Sequence, residues 1–160
     1  ARTNHDDALK DNHFGGEEVP ISVKCRIGTV RTVEDLVSED DEADFDALCD
    51  FVRTVSRGSG VRRFIVHARK AVLEGLRPTE NRRVPPLRPD LVIRLCHEFP
   101  DLSFVLNGGI QSVSEVAELL DQHAGLLDGV MCGRAVTSKP WDFATVDSRL
   151  FGDPDPAFSR

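Results

Sequence analysis

The chain has 160 residues, of which 40% are apolar and 29% are charged, and its formal net charge is −7. That length suits one domain, no apolar run approaches the roughly 20 residues of a membrane-spanning helix, and the negative balance excludes nucleic-acid binding through overall charge. The four cysteines include no C-x-x-C pair, which excludes a zinc ribbon and favours a reducing compartment, the cytoplasm or an organelle matrix.

Four segments are predicted to be strands. Residues 1–18 are polar and contain two adjacent glycines, so a flexible arm or loop is expected there. The first strand is predicted over 20–28, where apolar residues alternate with Ser22, Lys24 and Arg26. The remaining strands are predicted over 64–68, 102–106 and 128–134.

Apolar residues at helical spacing predict four helices. In the acidic stretch 34–50, the first part, residues 33–41, is expected to be an insertion or solvated loop. The first helix follows, with Asp44 as its N-cap and apolar residues recurring from Phe45 to Val55, and the acidic run is interpreted as a solvated face. The second covers 91–99, and the third opens with a capping box from Ser112 to Glu115. The last spans 140–151 and is anchored by Trp141, Phe143, Val146 and Leu150.

Strands and helices therefore alternate along the chain, which indicates an α/β fold with a parallel sheet and right-handed crossovers. Four such units make a partial TIM barrel, half of a (β/α)8 barrel, or a small open sheet. The expected division is an arm over 1–18, the half barrel over 19–152 and a tail over 153–160.

Polar side chains gather at the predicted carboxyl ends of the strands, where α/β folds bind ligands. They are Lys24 and Arg26, His67 and Arg69, Asn107 with Gly108 and Gly109, and Gly133 with Arg134. The two glycine turns predict a phosphate site built from backbone N–H groups, a helix N-terminus and a guanidinium. Plain alternatives remain open: a tight turn, a strand-edge lysine and a core histidine. No metal-ligand spacing is found, so the four cysteines are interpreted as structural.

Five motifs stand out along the chain: VKCRIG (23–28), FIVHARKA (64–71), LRPTENRRVPPL (76–87), LNGGI (106–110) and DGVMCGR (128–134). Together they resemble the FMN-dependent tRNA-dihydrouridine synthases, in particular the branch that modifies the D-loop of tRNA. The Pro-x-Glu-Asn-Arg run is the most specific of them, because a generic flavin barrel does not need it.

The resemblance implies an FMN-binding TIM barrel, of which these strands are the second half. It implies that FMN is bound by Lys24, His67, Asn107, Gly108, Gly109, Gly133 and Arg134, and that Thr79 and Arg82 contact tRNA. In this family NADPH reduces FMN, hydride passes to C6 of a uridine, and a cysteine protonates C5. Basic residues after His67 would add positive charge for an RNA backbone.

The chain departs from the family pattern in one respect that matters for catalysis. No Asn-x-x-Cys-Pro loop precedes Lys24, and none of Cys25, Cys49, Cys96 or Cys132 matches the proton donor. We therefore expect no catalytic residue in this segment, which would act as part of a larger synthase with the remaining half barrel and a helical domain. The alternatives are a non-catalytic FMN- or RNA-binding half barrel that needs a partner, and another flavin barrel of the dihydroorotate-oxidoreductase type.

Overall fold

The computed structural model describes residues 13–14, 17–37 and 41–153. Its strands, in chain order, are β1 (His13–Phe14), β2 (Glu17–Glu18), β3 (Ser22–Arg26), β4 (Thr29–Val30), β5 (Arg63–His67), β6 (Ala71–Val72), β7 (Ser103–Asn107) and β8 (Gly129–Met131). Its α-helices are α1 (Asp41–Ser59), α2 (Pro89–Glu98), α3 (Val113–Gln122), α4 (Arg134–Ser138) and α5 (Pro140–Phe143). Two 3₁₀ turns and one π-helical turn complete it: Glu34–Val37, Glu80–Arg82 and Asp147–Phe151.

The central sheet is parallel, and its strand order is β3-β5-β7-β8. Each of these central strands pairs with the central strand that comes before it in the chain. The order therefore lacks the reversal that defines a doubly wound fold. Consecutive parallel strands with helical connections are the repeating unit of a (β/α)8 barrel. The prediction of a partial TIM barrel is confirmed.

The two faces of the sheet differ in chemistry because successive side chains of a strand point to opposite sides. One face is apolar and packs against α1 and α2. Its centre is the stacked pair of Phe64 and Phe104, whose ring centroids are 5.8 Å apart and whose side chains are fully buried. The opposite face carries Lys24, His67 and Asn107. Packing on the apolar face therefore fixes which side chains the other face presents.

The sequence predicted that the acidic stretch is a solvated face, but several of its carboxylates form ion pairs with basic residues. Helix α1 begins at Asp41, so Asp44 lies in its first turn and is not its N-cap. The carboxylate of Asp44 pairs with Lys70, which is only 7% exposed. Other carboxylates of α1 pair with arginines at and within α2: Asp41 with Arg88, the residue before α2, at 2.6 Å, and Glu42 with Arg94 at 2.8 Å. The acidic helix thus neutralises basic residues of its neighbour.

The predicted helix over 140–151 is divided into α5 and the π-helical turn Asp147–Phe151. The hydroxyls of Thr145 and Ser148 donate to the carbonyls of Asp142 and Thr145, and such bonds compete with the helical pattern. Trp141 is 77% exposed, so its prediction as an anchor is wrong, whereas Phe143, Val146 and Leu150 are half-buried.

Most of the predicted arm lies outside the described residues, apart from the antiparallel pair of β1 and β2. The predicted tail does too, except for its first residue. Among the residues that are described, no helix is long and apolar enough to cross a membrane.

Candidate functional site

The carboxyl ends of the four central strands lie in register. Arg26 is aligned with His67, His67 with Asn107, and Asn107 with Met131. This register places the polar strand ends side by side at one edge of the sheet. The positions that sequence analysis selected separately therefore form one surface.

A cleft of about 190 Å³ opens on this surface. It contains all seven residues predicted to bind FMN and one of the two predicted to bind tRNA. Its lining residues are Lys24, His67, Arg82, Asn107, Gly108, Gly109, Ile110, Gln111, Met131, Gly133 and Arg134. Thr79 is exposed on the segment that carries Arg82 but does not line the cleft.

A chain of hydrogen bonds crosses the floor of the cleft. The Lys24 ammonium donates to Asn107 Oδ1 at 2.8 Å, and Asn107 Nδ2 donates to the carbonyl of Met131 at 2.8 Å. The amide of Asn107 is thereby oriented, with its oxygen toward Lys24. This chain fixes the ammonium at a defined point of the cleft.

The turn after β7 requires glycine at two consecutive positions. Gly108 has φ +119°, and a Cβ there would lie 2.7 Å from Cδ2 of His67. Gly109 has φ +82°, and a Cβ there would lie 2.5 Å from Cδ1 of Leu87. The His67 imidazole and Leu87 occupy the space that a side chain at either position would need. Since both residues are glycines, no side chain of the turn covers its backbone on the side of the cleft.

The donors available at this turn differ in part from those predicted. The first N–H groups around α3 are already engaged: Gln111 donates to Glu115, Val113 to Asp142, and Glu115 to the hydroxyl of the N-cap Ser112. Ser112 caps the helix as predicted, but the Glu115 carboxylate accepts from Gln111 and not from Ser112, so the reciprocal half of the capping box is shifted by one residue. The helix N-terminus is occupied by the protein's own acceptors. Within the described part of the chain, no acceptor engages the N–H groups of Gly108 and Gly109.

The electrostatic character of the cleft is cationic, and none of the described residues that line it is acidic. Burial first, and then the charges of Arg26, Lys24, Arg69 and Arg134, together lower the pKa of His67 to about 4. Desolvation likewise lowers the pKa of Lys24. His67 is therefore neutral at physiological pH, and the surrounding positive charge lacks a carboxylate counterion within the cleft.

The basic residues after His67 do not all supply free positive charge. Lys70 pairs with Asp44 and Arg77 with Glu80. Arg69 donates to the carbonyl groups of Arg83 and Pro85, and its Nε is buried without a partner among the described residues. Arg82 is the member of this group that lines the cleft.

Two residues at the site were not assigned a role from the sequence. Arg26 donates through one guanidinium nitrogen to the carbonyls of Lys70 and Asn81, at 2.8 and 3.0 Å. The sequence placed Arg26 with Lys24 at the end of the first strand, because the two residues share one strand face, but it indicated no role for Arg26. Leu87, which packs against Gly108 and Gly109, gave no comparable signal because the contact depends on how the intervening segment folds.

None of the four cysteines is among the residues that line the cleft. All four have free thiols; Cys49 and Cys96 are buried, and burial raises the pKa of each, as it does for Cys25, to about 11. Cys25 alternates with Lys24 and so faces the helices. In the described ranges, no group of three or more His, Cys, Asp or Glu side chains could hold a metal ion.

The fold is a half barrel of the α/β class, with a cationic, glycine-lined cleft at the carboxyl ends of its parallel strands. The sequence matches the Dihydrouridine synthase (Dus) family over residues 8–159. It is 46% identical to the tRNA-dihydrouridine(20/20a) synthase of Pseudomonas aeruginosa over 143 residues, which are 89% of this chain and 39% of that protein. Synthases of the same name from Escherichia coli and Vibrio vulnificus are 43% and 41% identical.

The chain belongs to the dihydrouridine synthase family. It spans about two fifths of the length of the curated relatives that it matches. The family resemblance inferred from the motifs is confirmed.

Proposed function

We propose that this chain forms the flavin- and tRNA-binding half of an FMN-dependent tRNA-dihydrouridine synthase, whose reductant is NADPH and whose substrate is a uridine in the D-loop. One observation carries the proposal: all seven residues assigned to FMN converge with Arg82 on one cationic cleft. The names of the relatives support tRNA as the substrate.

The donor set of the cleft fits a phosphorylated flavin. The Gly108 and Gly109 turn offers backbone N–H groups, and the Arg134 guanidinium offers charge-assisted hydrogen bonds to a phosphate dianion. Lys24, held by Asn107, would place its ammonium beside the electron-rich edge of the ring. FMN bound there would supply a hydride for the C5–C6 double bond of uridine.

Of the remaining cleft residues, Arg82 would bind the nucleic acid and His67 would contact the flavin. Arg82 is an exposed cation at the mouth of the cleft and is suited to a phosphate of the RNA backbone. His67 is held neutral by its surroundings, so it can donate one hydrogen bond and accept another without adding charge. A uridine must leave its stack to reach such a site.

The proposal is tested in the complete polypeptide that carries this chain. Lys24→Ala and Arg134→Ala are each expected to weaken FMN binding about tenfold or more, because a charged hydrogen bond contributes roughly 1.5–3 kcal/mol. Flavin fluorescence gives the affinity, and dihydrouridine formation in unmodified tRNA with NADPH gives the activity. Arg62→Ala, an exposed arginine just before β5 at the opposite end of the sheet, is the control. Unchanged FMN affinity in both variants would refute the assignment.

A second candidate is a non-catalytic binding module that pairs with another half barrel. It is favoured by the open edge at β3, beside which a cavity of about 420 Å³ is lined by Gly28, Phe51 and residues around them. Unpaired strand edges favour association. The same experiment separates the two candidates: FMN or tRNA binding without dihydrouridine formation would support the module.

A further inference from the structure

We propose that Asn81 is a positioning residue for nucleic-acid binding, which acts by holding Arg82 at the mouth of the cleft. This inference rests on the function proposed above, since it assumes that Arg82 contacts the RNA backbone. Asn81 lies in the Pro-x-Glu-Asn-Arg run and does not itself line the cleft. Its contacts show how the run is attached to the sheet.

The side-chain amide of Asn81 forms hydrogen bonds with both backbone groups of Val72, as a neighbouring strand would. Its Oδ1 accepts from the Val72 N–H at 3.0 Å, and its Nδ2 donates to the Val72 carbonyl. The residues on either side of Val72 bond instead to the other partner: Ala71 donates to Gly28 and Leu73 to Val30. Strand β6 is thus paired with β4 on one side and with a single amide on the other.

The main chain of Asn81 connects the same segment to the sheet face that carries Lys24, His67 and Asn107. Its carbonyl accepts from Arg26 of that face at 3.0 Å, and Arg26 also donates to the carbonyl of Lys70. Its N–H donates to the carbonyl of Arg77 at 2.9 Å. Asn81 is therefore the point at which the exposed turn, β6 and Arg26 of the central sheet meet.

Arg82 follows directly and is the residue that projects into the cleft. Its charge is close enough to Arg26 to help lower the pKa of that guanidinium, after burial and Arg69. Like charges repel, so Arg82 would move toward solvent if the turn were released. The Asn81 amide opposes this movement because it fixes the backbone immediately before Arg82.

The experiment compares Asn81→Ala with Arg82→Ala in the complete polypeptide. Binding of a tRNA transcript is measured as a function of salt concentration. The logarithm of the binding constant falls as the logarithm of the salt concentration rises. Loss of one cationic contact makes this slope shallower by roughly 0.7–0.9. Asn81→Ala removes no charge, yet it is expected to lower the slope and the affinity by as much as Arg82→Ala. The double variant is expected to bind like Arg82→Ala alone.

Two further variants complete the test. Val84→Ala, an uncharged change at an exposed site on the same segment, should leave affinity and slope unchanged. Asn81→Gln keeps the amide but places it one methylene further from the backbone, so a partial loss of affinity and of salt dependence is expected. This variant replaces Asn81→Ala in the comparison if Asn81→Ala does not fold.

The outcomes distinguish this inference from the proposed function. A folded Asn81→Ala or Asn81→Gln protein with the parent slope overturns the inference, as does an additive loss in the double variant. If the parent protein does not bind tRNA, or Arg82→Ala binds as the parent does, the proposed role of Arg82 fails and the inference fails with it.

Discussion

Lys24 and Asn107 are hydrogen-bonded at 2.8 Å although their strands are not neighbours in the sheet. Strand β5 lies between them, and the lysine side chain crosses it beside His67. A single contact thereby ties the first and third central strands together on the face that carries the cleft. Lysine has the length for this bridge, and the orientation of Asn107 is in turn set by the Met131 carbonyl.

Gly108→Ala should destabilise the protein and displace His67. The substitution combines a left-handed backbone with a Cβ placed 2.7 Å from the imidazole, so we expect a loss of about 2–5 kcal/mol in unfolding free energy. Equilibrium urea unfolding measures it. Gly125→Ala is the matched control, because Gly125 has φ +78° in open space and should lose only the backbone strain of about 1–2 kcal/mol. Equal losses in the two variants would contradict the contact with His67.

Gly133→Ala should separate binding from stability. Gly133 has φ −125°, and its Cβ would have no neighbour within 4 Å, so the unfolding free energy should change by less than about 0.5 kcal/mol. The methyl group would nevertheless lie where a phosphate approaches the backbone, and FMN affinity should fall. Gly58→Ala, also in open space but on α1, should keep the parent affinity in the same flavin titration. Retained FMN affinity in Gly133→Ala would remove Gly133 from the site.

His67 should titrate far below an ordinary histidine. Its pKa of about 4 in the folded chain lies below the value of 6.5 expected when unfolded. The unfolded state therefore binds the proton first as pH falls. The stability that neutral His67 contributes is complete above pH 6.5 and is lost as pH decreases from 6.5 toward 4.

The imidazole proton resonances followed by NMR report this pKa directly. Lys24→Gln and Arg134→Gln should each raise it, because each removes a cation near the ring. Arg62→Gln should not. A pKa near 6.5 in the parent protein would contradict the buried, cationic surroundings described here.

Asp44→Asn should be more damaging than changes at the other carboxylates of α1. It removes the carboxylate partner of Lys70, which is 7% exposed, and breaking a buried ion pair costs about 3–5 kcal/mol. Glu42→Gln at the exposed pair with Arg94 should cost less than about 1 kcal/mol. Thermal unfolding of the two variants at one pH makes the comparison. Similar melting temperatures of the two variants would show that the ion pair of Asp44 with Lys70 adds little to the stability of the fold.

Much of the fold and the cleft could be predicted because the signals are local. Alternation at Lys24 and Arg26, the glycines after Asn107 and the apolar spacing of α2 each depend on a few consecutive residues. The features that the sequence did not predict depend on contacts between residues that are far apart in the chain. The pairing of Asp44 with Lys70 and the packing of Leu87 under the glycine turn both require knowing where a long irregular segment returns. The break after α5 arises from hydroxyl groups that the apolar pattern ignores.

The positive charge of the cleft has a consequence for how quickly a polyanion is captured. Several carboxylates of α1 are paired with basic residues, whereas the cations around His67 have no carboxylate in the lining of the cleft. The chain thus presents a local positive site on a net anion of charge −7. An approaching polyanion is repelled by most of the surface and turned toward one end. Its association rate should therefore fall with ionic strength even though protein and ligand carry the same sign of net charge.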